Sequence, residues 1–377
     1  MQPEILKRKN KIVQAGADED LSEKLRDAAE KSLYVLAKAV MGMTAFTNHL
    51  HLPVCNWLQT CPPRKKLLLM PRSSFKTSIA RCLAVHIVIQ RPDRNIYFPG
   101  RTGRNLRLLF AAENEKRAVS RIGWIRRQFE QNEILRALWP ECVWKAPTDA
   151  PIWTATRFSL PRDEDYPEAT FESAGVDSGS TGSHYDAIFK DDLIGLRSRQ
   201  EPQFMARAIE WFKTSHSLTD DVLFSLDFVF GTRWAAEDLY SWIFENEPEY
   251  EYRIYSAHNP DGTLLFPERL SEEVLAGLRK KQGDLYWLNY ENKAIGTGVT
   301  AFDLSHLREC TVSGNFIEYD PTANRIYEII EGDKAAASKE PERPKRFWEL
   351  TPEERVQRWL EMQKNWYQRK LTNIEVS

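Results

Sequence analysis

The fold of this chain is indicated most clearly by one segment, Leu67-Leu-Leu-Met-Pro-Arg-Ser-Ser-Phe-Lys-Thr-Ser78. Residues 65–70, a basic pair followed by four apolar residues, predict a short buried strand that ends at Pro71. Residues 78–90 have the pattern of a helix, and small residues lie between the two. A strand, a tight turn and a helix start direct backbone N–H groups toward one point, which favours binding of an anion.

The Lys-Thr pair at the start of the helix predicts a nucleoside triphosphate as that anion. Lys76 is expected to reach the β- and γ-phosphates, and the Thr77 hydroxyl is expected to bind Mg²⁺. Met70 and Phe75 stand where the common phosphate loop has its two glycines, so an ordinary helix start remains the alternative. The predicted nucleotide-binding residues are Pro71, Arg72, Ser73, Ser74, Phe75, Lys76, Thr77 and Ser78.

Strands alternate with helices along most of the chain. The apolar spacing of residues 21–58 predicts a helical prelude, and residues 114–132 predict a further helix. This alternation predicts an α/β fold with a parallel sheet covered by helices on both faces. The other predicted strands are residues 95–98, 106–110, 187–190 and 222–230.

Tyr185-Asp-Ala-Ile-Phe-Lys-Asp-Asp-Leu-Ile194 has the pattern of a strand that ends in two carboxylates. Adjacent acids at the carboxyl end of a parallel strand lie where such sheets bind ligands. Asp191 is expected to coordinate Mg²⁺ through water, and Asp192 is expected to orient or deprotonate an attacking water. The alternative is a turn with two solvated acids.

A third polar segment, Gly231-Thr-Arg-Trp234, follows the apolar strand at residues 228–230. Gly231, Thr232 and Arg233 are therefore placed to sense the γ-phosphate and to relay its state to a moving element. The alternative is a strand-to-helix turn in which Arg233 makes a surface ion pair.

Charge and composition limit the possible partners. The formal net charge of −2 argues against a protein that coats nucleic acid with its whole surface, but a local patch remains possible. Eight basic residues against two acids lie between positions 101 and 127, and we take Arg117, Arg121 and Arg127 as candidate DNA contacts. Ion pairs or a neighbouring subunit are the alternative. No apolar run approaches the roughly 18–20 residues of a membrane helix.

The order of these segments resembles the ATPase domain of tailed-phage terminase large subunits. The matching segments are Pro71-Arg-Ser-Ser-Phe-Lys-Thr77, Ala111-Ala-Glu-Asn-Glu-Lys-Arg-Ala118, Ser180-Thr-Gly-Ser-His-Tyr-Asp-Ala-Ile-Phe-Lys-Asp-Asp192 and Gly231-Thr-Arg-Trp234. That family tolerates Pro-Arg-x-x-Phe-Lys-[ST] as its phosphate loop. The resemblance implies a P-loop NTPase fold of the RecA-like (ASCE) kind that binds ATP and Mg²⁺. It also implies that Arg72 contacts the γ-phosphate and that Gly231–Arg233 form the coupling motif.

The same resemblance implies an ATP-driven motor subunit that translocates double-stranded viral DNA into a procapsid. Its expected partners are a portal protein and a small terminase subunit, and its expected assembly is a homo-oligomeric ring. The expected location is the host cytoplasm and, transiently, the procapsid portal, with no membrane. Such proteins also use an arginine finger, for which this chain offers only weak candidates: Arg157, Arg162, Arg197 and Arg199.

We predict a polar segment at residues 1–30, an ATPase domain at 31–310, and a linker with a short C-terminal helix at 311–377. Related proteins usually carry an RNase H-like nuclease after the ATPase, and residues 316–322 resemble its first strand, with Asp320 as its first acid. Only 57 residues follow Asp320, so we expect no nuclease activity from this chain.

Two other functions remain open at this stage. A helicase-like, nucleic-acid-stimulated ATPase would need a second RecA-like domain, for which the residues after 310 are few. A non-catalytic nucleotide-binding scaffold for capsid assembly would not need Lys76, Thr77, Asp191 and Asp192 together.

Overall fold

A computed structural model of the chain describes residues 19–177 and 182–293, together with two short strands at Tyr319–Asp320 and Arg325–Ile326. The chain separates into two compact units, Met1–Thr297 and Gly298–Ser377. The two short strands lie in the second unit, where they pair antiparallel. The predicted C-terminal helix lies outside the described residues.

The first unit is built on a seven-stranded sheet with the order β3-β4-β2-β5-β6-β1-β7. All neighbouring strands run parallel except β3, which pairs antiparallel with β4 at one edge. The predicted α/β fold with a mostly parallel sheet is therefore confirmed. The strands are β1 (Lys65–Leu69), β2 (Leu108–Ala112), β3 (Arg157–Phe158), β4 (Phe171–Gly175), β5 (Ala187–Asp191), β6 (Leu226–Gly231) and β7 (Glu251–Ile254).

Helices cover both faces of this sheet, as the alternation predicted, and the helical prelude is present. A π-helical turn, Leu36–Val40, extends the second helix. The helices are α1 (Glu19–Lys31), α2 (Leu33–Val35), α3 (His51–Gln59), α4 (Lys76–Val88), α5 (Glu115–Gln131), α6 (Glu133–Leu138), α7 (Leu196–Gln200), α8 (Pro202–Ser215), α9 (Leu239–Asn246), α10 (Glu272–Gln282) and α11 (Asp284–Asn289).

Successive side chains of each strand point to opposite faces, which divides the core into two layers. In β1, Leu68 packs with α4 and the N-terminal helices, whereas Leu67 and Leu69 pack with α8 and α9. Phe110 of β2 and Phe189 of β5 stack in the first layer with ring centroids 4.6 Å apart. Because the central strands are buried on both faces, their carboxyl ends are held at one edge of a rigid sheet.

Two strand predictions were wrong in the same way. Residues 95–98 form a bend, because Asn95 Oδ1 accepts hydrogen bonds from the backbone N–H groups of Tyr97 and Phe98. The strand predicted at 222–230 begins only at 226, because Asp221 Oδ1 accepts from the N–H groups two and three residues later and closes a turn. In both segments, side-chain hydrogen bonds to the backbone replace the strand that the apolar composition suggested.

None of the helices described in this structure is both long enough and apolar enough to cross a bilayer.

Candidate functional site

The turn between β1 and α4 contains residues with a left-handed backbone. Ser73 and Phe75 both have positive φ, 69° and 65°, and the Ser74 hydroxyl donates to the Pro71 carbonyl at 2.6 Å. Phe75 precedes α4 without capping it through its side chain. The first N–H groups of a helix have no intrahelical acceptor, so this turn presents free donors at the carboxyl edge of the sheet.

Phe75 adopts a backbone conformation that normally favours glycine. Its ring packs among Phe46 and Phe266, each with its centroid 6.0 Å away, and the Arg269 guanidinium lies 4.5 Å above it. His51 joins this cluster and stacks on Phe46. These contacts offset the cost of a left-handed residue, about 1–2 kcal/mol, so the loop keeps its shape without glycine.

Four side chains that the sequence predicted to act together converge at this edge. The Lys76 ammonium lies 3.0 Å from Asp192 Oδ1 and 3.3 Å from Oδ2. The Thr77 hydroxyl donates to Asp191 Oδ1 at 3.1 Å. The two pairs join residues 116 and 114 positions apart in the chain. Solvated acids in a turn, the alternative for Asp191 and Asp192, do not describe this arrangement, because Asp191 is fully buried.

The carboxylates of Asp191 and Asp192 repel each other. Burial raises the pKa of Asp191 and so does the neighbouring Asp192, against the lowering effect of Arg121 and Lys76. Asp192 itself has a φ of 53°, held by hydrogen bonds from its N–H to the Phe230 carbonyl and from the Glu113 N–H to its own carbonyl. Adjacent acids on a strained backbone are the kind of arrangement that marks a ligand site.

Arg121 is the residue whose position the sequence did not indicate. We took it as a candidate DNA contact, but its Nε lies 2.6 Å from Asp191 Oδ2 and its side chain is 15% exposed. Arg117, one turn earlier, is exposed and pairs with Glu113 at 2.6 Å. Arg127 is also exposed. Arg121 thus belongs to the site, while Arg117 and Arg127 stay on the surface.

The predicted coupling segment touches the phosphate loop directly. The Met70 N–H donates to the Gly231 carbonyl at 3.2 Å, and the Thr232 hydroxyl donates to the Met70 carbonyl at 3.2 Å. A side chain on Gly231 would overlap the Tyr240 hydroxyl and ring, so α9 packs against this backbone as closely as glycine allows. The turn, the end of β6 and α9 are therefore in direct contact.

Arg233 is buried and does not make the surface ion pair that was the alternative. Its Nε lies 2.9 Å from Asp238 Oδ2, and a terminal nitrogen donates to the Ser241 hydroxyl at 2.6 Å. Its backbone N–H donates to Asn292 Oδ1 at 3.1 Å. Asn292 is the fourth non-glycine residue with positive φ in the described part of the chain, and the other three are Ser73, Phe75 and Asp192. All four lie at this edge of the sheet.

Arg72 does not join the two carboxylates. Its guanidinium lies 4.8 Å above the Trp234 ring, and the backbone N–H of Arg72 donates to the Asn289 carbonyl at 2.9 Å. Two of the four arginine-finger candidates have side-chain partners elsewhere. Arg162 donates to the carbonyls of Tyr166 and Glu168, and Arg197 pairs with Glu201.

The donor set fits a magnesium ion. A hydroxyl oxygen and carboxylate oxygens are the ligands that Mg²⁺ prefers, and it usually takes the rest from water and phosphate. Within the described ranges, no cluster of three or more His, Cys, Asp or Glu side chains forms a complete metal cage. Thr77 and Asp191 offer a hydroxyl and a carboxylate oxygen 3.1 Å apart, and they would hold the ion beside a nucleotide.

No model of a known protein family matches this chain, and no curated protein sequence is significantly similar to it.

Proposed function

We propose that this chain is a Mg²⁺-dependent ATP hydrolase whose active site is the carboxyl edge of β1, β5 and β6. One observation carries the proposal: Lys76 and Thr77, at the start of α4, meet Asp192 and Asp191, at the end of β5, at 3.0 and 3.1 Å. In the sheet, β6 lies between β1 and β5, and the coupling residues Gly231–Arg233 stand at its carboxyl end. This order supports a RecA-like P-loop arrangement.

Lys76 is the residue that binds the phosphates. Lys76 is 9% exposed and its ammonium lies against Asp192. An entering phosphate therefore replaces Asp192 as the anion beside this cation. The uncapped N-terminus of α4 adds backbone donors to the same anion. The site therefore binds the triphosphate without exposing Lys76 to water.

Asp192 is released when Lys76 moves to the phosphate. Its free carboxylate then accepts a hydrogen bond from the attacking water and orients it toward the γ-phosphate. Thr77 and Asp191 would hold the ion, which would supply positive charge to neutralise the phosphates. Arg72 contacts Trp234, next to the coupling residues. Its proposed contact with the γ-phosphate rests on the resemblance to terminases.

We further propose that hydrolysis drives the translocation of double-stranded DNA, as in the terminase large subunits that the motif order resembles. The direct hydrogen bonds between Met70, Gly231 and Thr232 support a mechanical link from the phosphate loop to α9. The portal protein, the small terminase subunit, the ring and the location in the host cytoplasm and at the procapsid belong to the same proposal.

The experiment that tests hydrolysis measures phosphate release by the full chain with ATP and Mg²⁺. Lys76→Ala and Asp192→Asn are expected to lower the rate by about 10²–10³-fold, because each removes charge positioned for the transition state. Lys65→Ala is the matched control, since Lys65 lies at the other end of β1 and pairs with Glu249. Wild-type rates in both site variants would rule out this active site.

DNA dependence separates the remaining functions. A motor or a helicase-like ATPase is stimulated by double-stranded or single-stranded DNA respectively, whereas a scaffold has no turnover to stimulate. Arg117→Glu with Arg127→Glu is expected to weaken the stimulation and to spare the basal rate, since both residues are exposed. An unchanged salt dependence of DNA binding would remove this face of α5 from the proposal.

A further inference from the structure

Asp191, the residue assigned to the metal ion, has both carboxylate oxygens engaged by other groups. Oδ1 accepts the Thr77 hydroxyl at 3.1 Å, and Oδ2 lies 2.6 Å from Arg121 Nε. A metal ion that reaches this carboxylate directly or through water must therefore share an anion with a guanidinium. The phosphate loop does not supply this arginine, which belongs to α5 on the other side of the carboxylate.

The packing of α5 imposes the position of Arg121. Asn114 caps the helix by accepting from the Arg117 N–H, and Ala118 and Ile125 on either side of Arg121 are fully buried. A Cβ on Gly175 of β4 would overlap the backbone at the start of α5, which shows how closely the helix approaches the sheet. Arg121 therefore cannot leave Asp191 by a shift of the helix, and only its side chain can move.

Positive charge is concentrated around this carboxylate. Arg81, one turn after Thr77 in α4, interacts electrostatically with Asp191 and Arg121, and burial together with the charge of Arg121 lowers its pKa to about 10. With Lys76 on Asp192, three cationic side chains surround two carboxylates. A divalent cation enters against this charge, and repulsion between cations is strong where water is excluded.

We propose that Arg121 is a positioning residue that holds Asp191 in the ligand-free chain and competes with Mg²⁺ for its Oδ2. The inference rests on the proposed function, which assigns Asp191 to the ion. A terminal nitrogen of Arg121 already lies 4.0 Å from Asp192 Oδ2, which offers the displaced guanidinium a second acceptor. Binding of the metal together with a nucleotide therefore moves the Arg121 side chain of α5. Phosphate without a metal does not move it.

The test is a Mg²⁺ titration of the binding of a fluorescent, non-hydrolysable ATP analogue to the full chain. Arg121→Gln removes the competing charge, and the half-saturating Mg²⁺ concentration is expected to fall about tenfold. Arg117→Gln is the matched control on the same helix, because Arg117 pairs with Glu113 and not with Asp191. Its Mg²⁺ dependence is expected to equal that of the wild type.

A half-saturating concentration in Arg121→Gln that equals or exceeds the wild-type value overturns the inference, because a purely structural arginine does not change metal competition. If Arg121→Gln fails to fold, Arg121→Lys decides: it loses the Nε contact, and its half-saturating concentration must fall for the inference to stand. A wild-type chain without Mg²⁺-dependent binding overturns the proposed function itself. If the wild type shows Mg²⁺-dependent binding and the variant has the same half-saturating Mg²⁺ concentration, the inference about Arg121 is overturned and the proposed function is not.

Discussion

The two ends of β5 both carry aspartates, yet they are built in opposite ways. Asp186, just before the strand, accepts hydrogen bonds from the Arg107 N–H at 2.8 Å, from Arg107 Nε at 3.0 Å and from Arg101 at 2.6 Å. Arg107 in turn pairs with Asp220 at 2.8 Å. Each buried charge at this end has several partners of opposite sign, and the cluster is complete without a ligand.

The acids at the other end of the strand also have cationic partners, Lys76 and Arg121, but there two like charges lie side by side. Asp191 and Asp192 are adjacent acids, Asp192 has a left-handed backbone, and Ser73 and Phe75 opposite them do too. Burial and the neighbouring Asp192 raise the pKa of Asp191, against the lowering effect of Arg121 and Lys76. The comparison shows that the number of ion pairs does not mark a functional site; strain and like charges in close contact do.

Replacing one aspartate at each end of β5 is expected to give two different losses of stability. Asp186→Asn is expected to lower the free energy of unfolding by about 3 kcal/mol, because it leaves Arg107 buried beside a neutral partner. Asp192→Asn is expected to cost less than about 1 kcal/mol, because relief of the repulsion with Asp191 offsets the lost contact with Lys76. Urea denaturation followed by tryptophan fluorescence measures both.

Equal losses of stability in the two variants would contradict the distinction between the two ends. A large loss in Asp192→Asn alone would mean that the acids at the carboxyl end serve the fold.

The contact between Gly231 and Tyr240 at the carboxyl edge is expected to give the next largest effect on stability. Gly231→Ala is expected to destabilise the chain by about 2–3 kcal/mol, because its Cβ overlaps the Tyr240 side chain. Tyr240→Phe in the same background is expected to restore little, because the ring carbon that carries the hydroxyl also overlaps. Thermal unfolding of the single and double variants checks this, and full rescue by Phe would show that the hydroxyl alone sets the limit.

His258 and its two glutamate partners form a third paired cluster, and its loss is expected to have the smallest effect on stability. Burial alone would lower the pKa of His258, but Glu291 at 2.7 Å and Glu272 at 3.1 Å outweigh it and raise the pKa. The stability from this pairing is fully present below the unfolded pKa of about 6.5 and is lost as the pH rises through the folded value. His258→Gln is therefore expected to cost about 0.5 kcal/mol at pH 6 and nothing at pH 9.

Denaturation of the wild type and His258→Gln at both pH values measures the difference. A loss that grows toward pH 9 would have the wrong sign for this pairing.

Much of the site was predictable because strand ends meet at one edge. Lys76 and Asp192 each follow an apolar run, and parallel strands bring such positions together whatever their separation in the chain. The position of Arg121 was harder to see. It lies three residues after Ala118 and four before Ile125, both buried, so its spacing places it on the flank of the inward face. Its charge had favoured an exposed position.

Other parts of the fold depended on contacts that no local pattern contains. β4 has polar residues such as Glu172 and Ser173, which conceal a strand that lies inside the sheet. The left-handed Phe75 is stable because Phe46 and Phe266, distant in sequence, pack on its ring. In both cases tertiary packing outweighs local preference.

The most direct test of the hydrolytic site is a single-turnover measurement on Asp192→Asn, in which bound ATP and cleaved ATP are determined in the same sample. The variant is expected to bind Mg²⁺ and ATP at least as tightly as the wild type, because an anion beside the phosphates is removed. The bound ATP is expected to be cleaved about 10²–10³-fold more slowly. Cleavage of bound ATP at the wild-type rate would contradict the role of Asp192 and the site built around it.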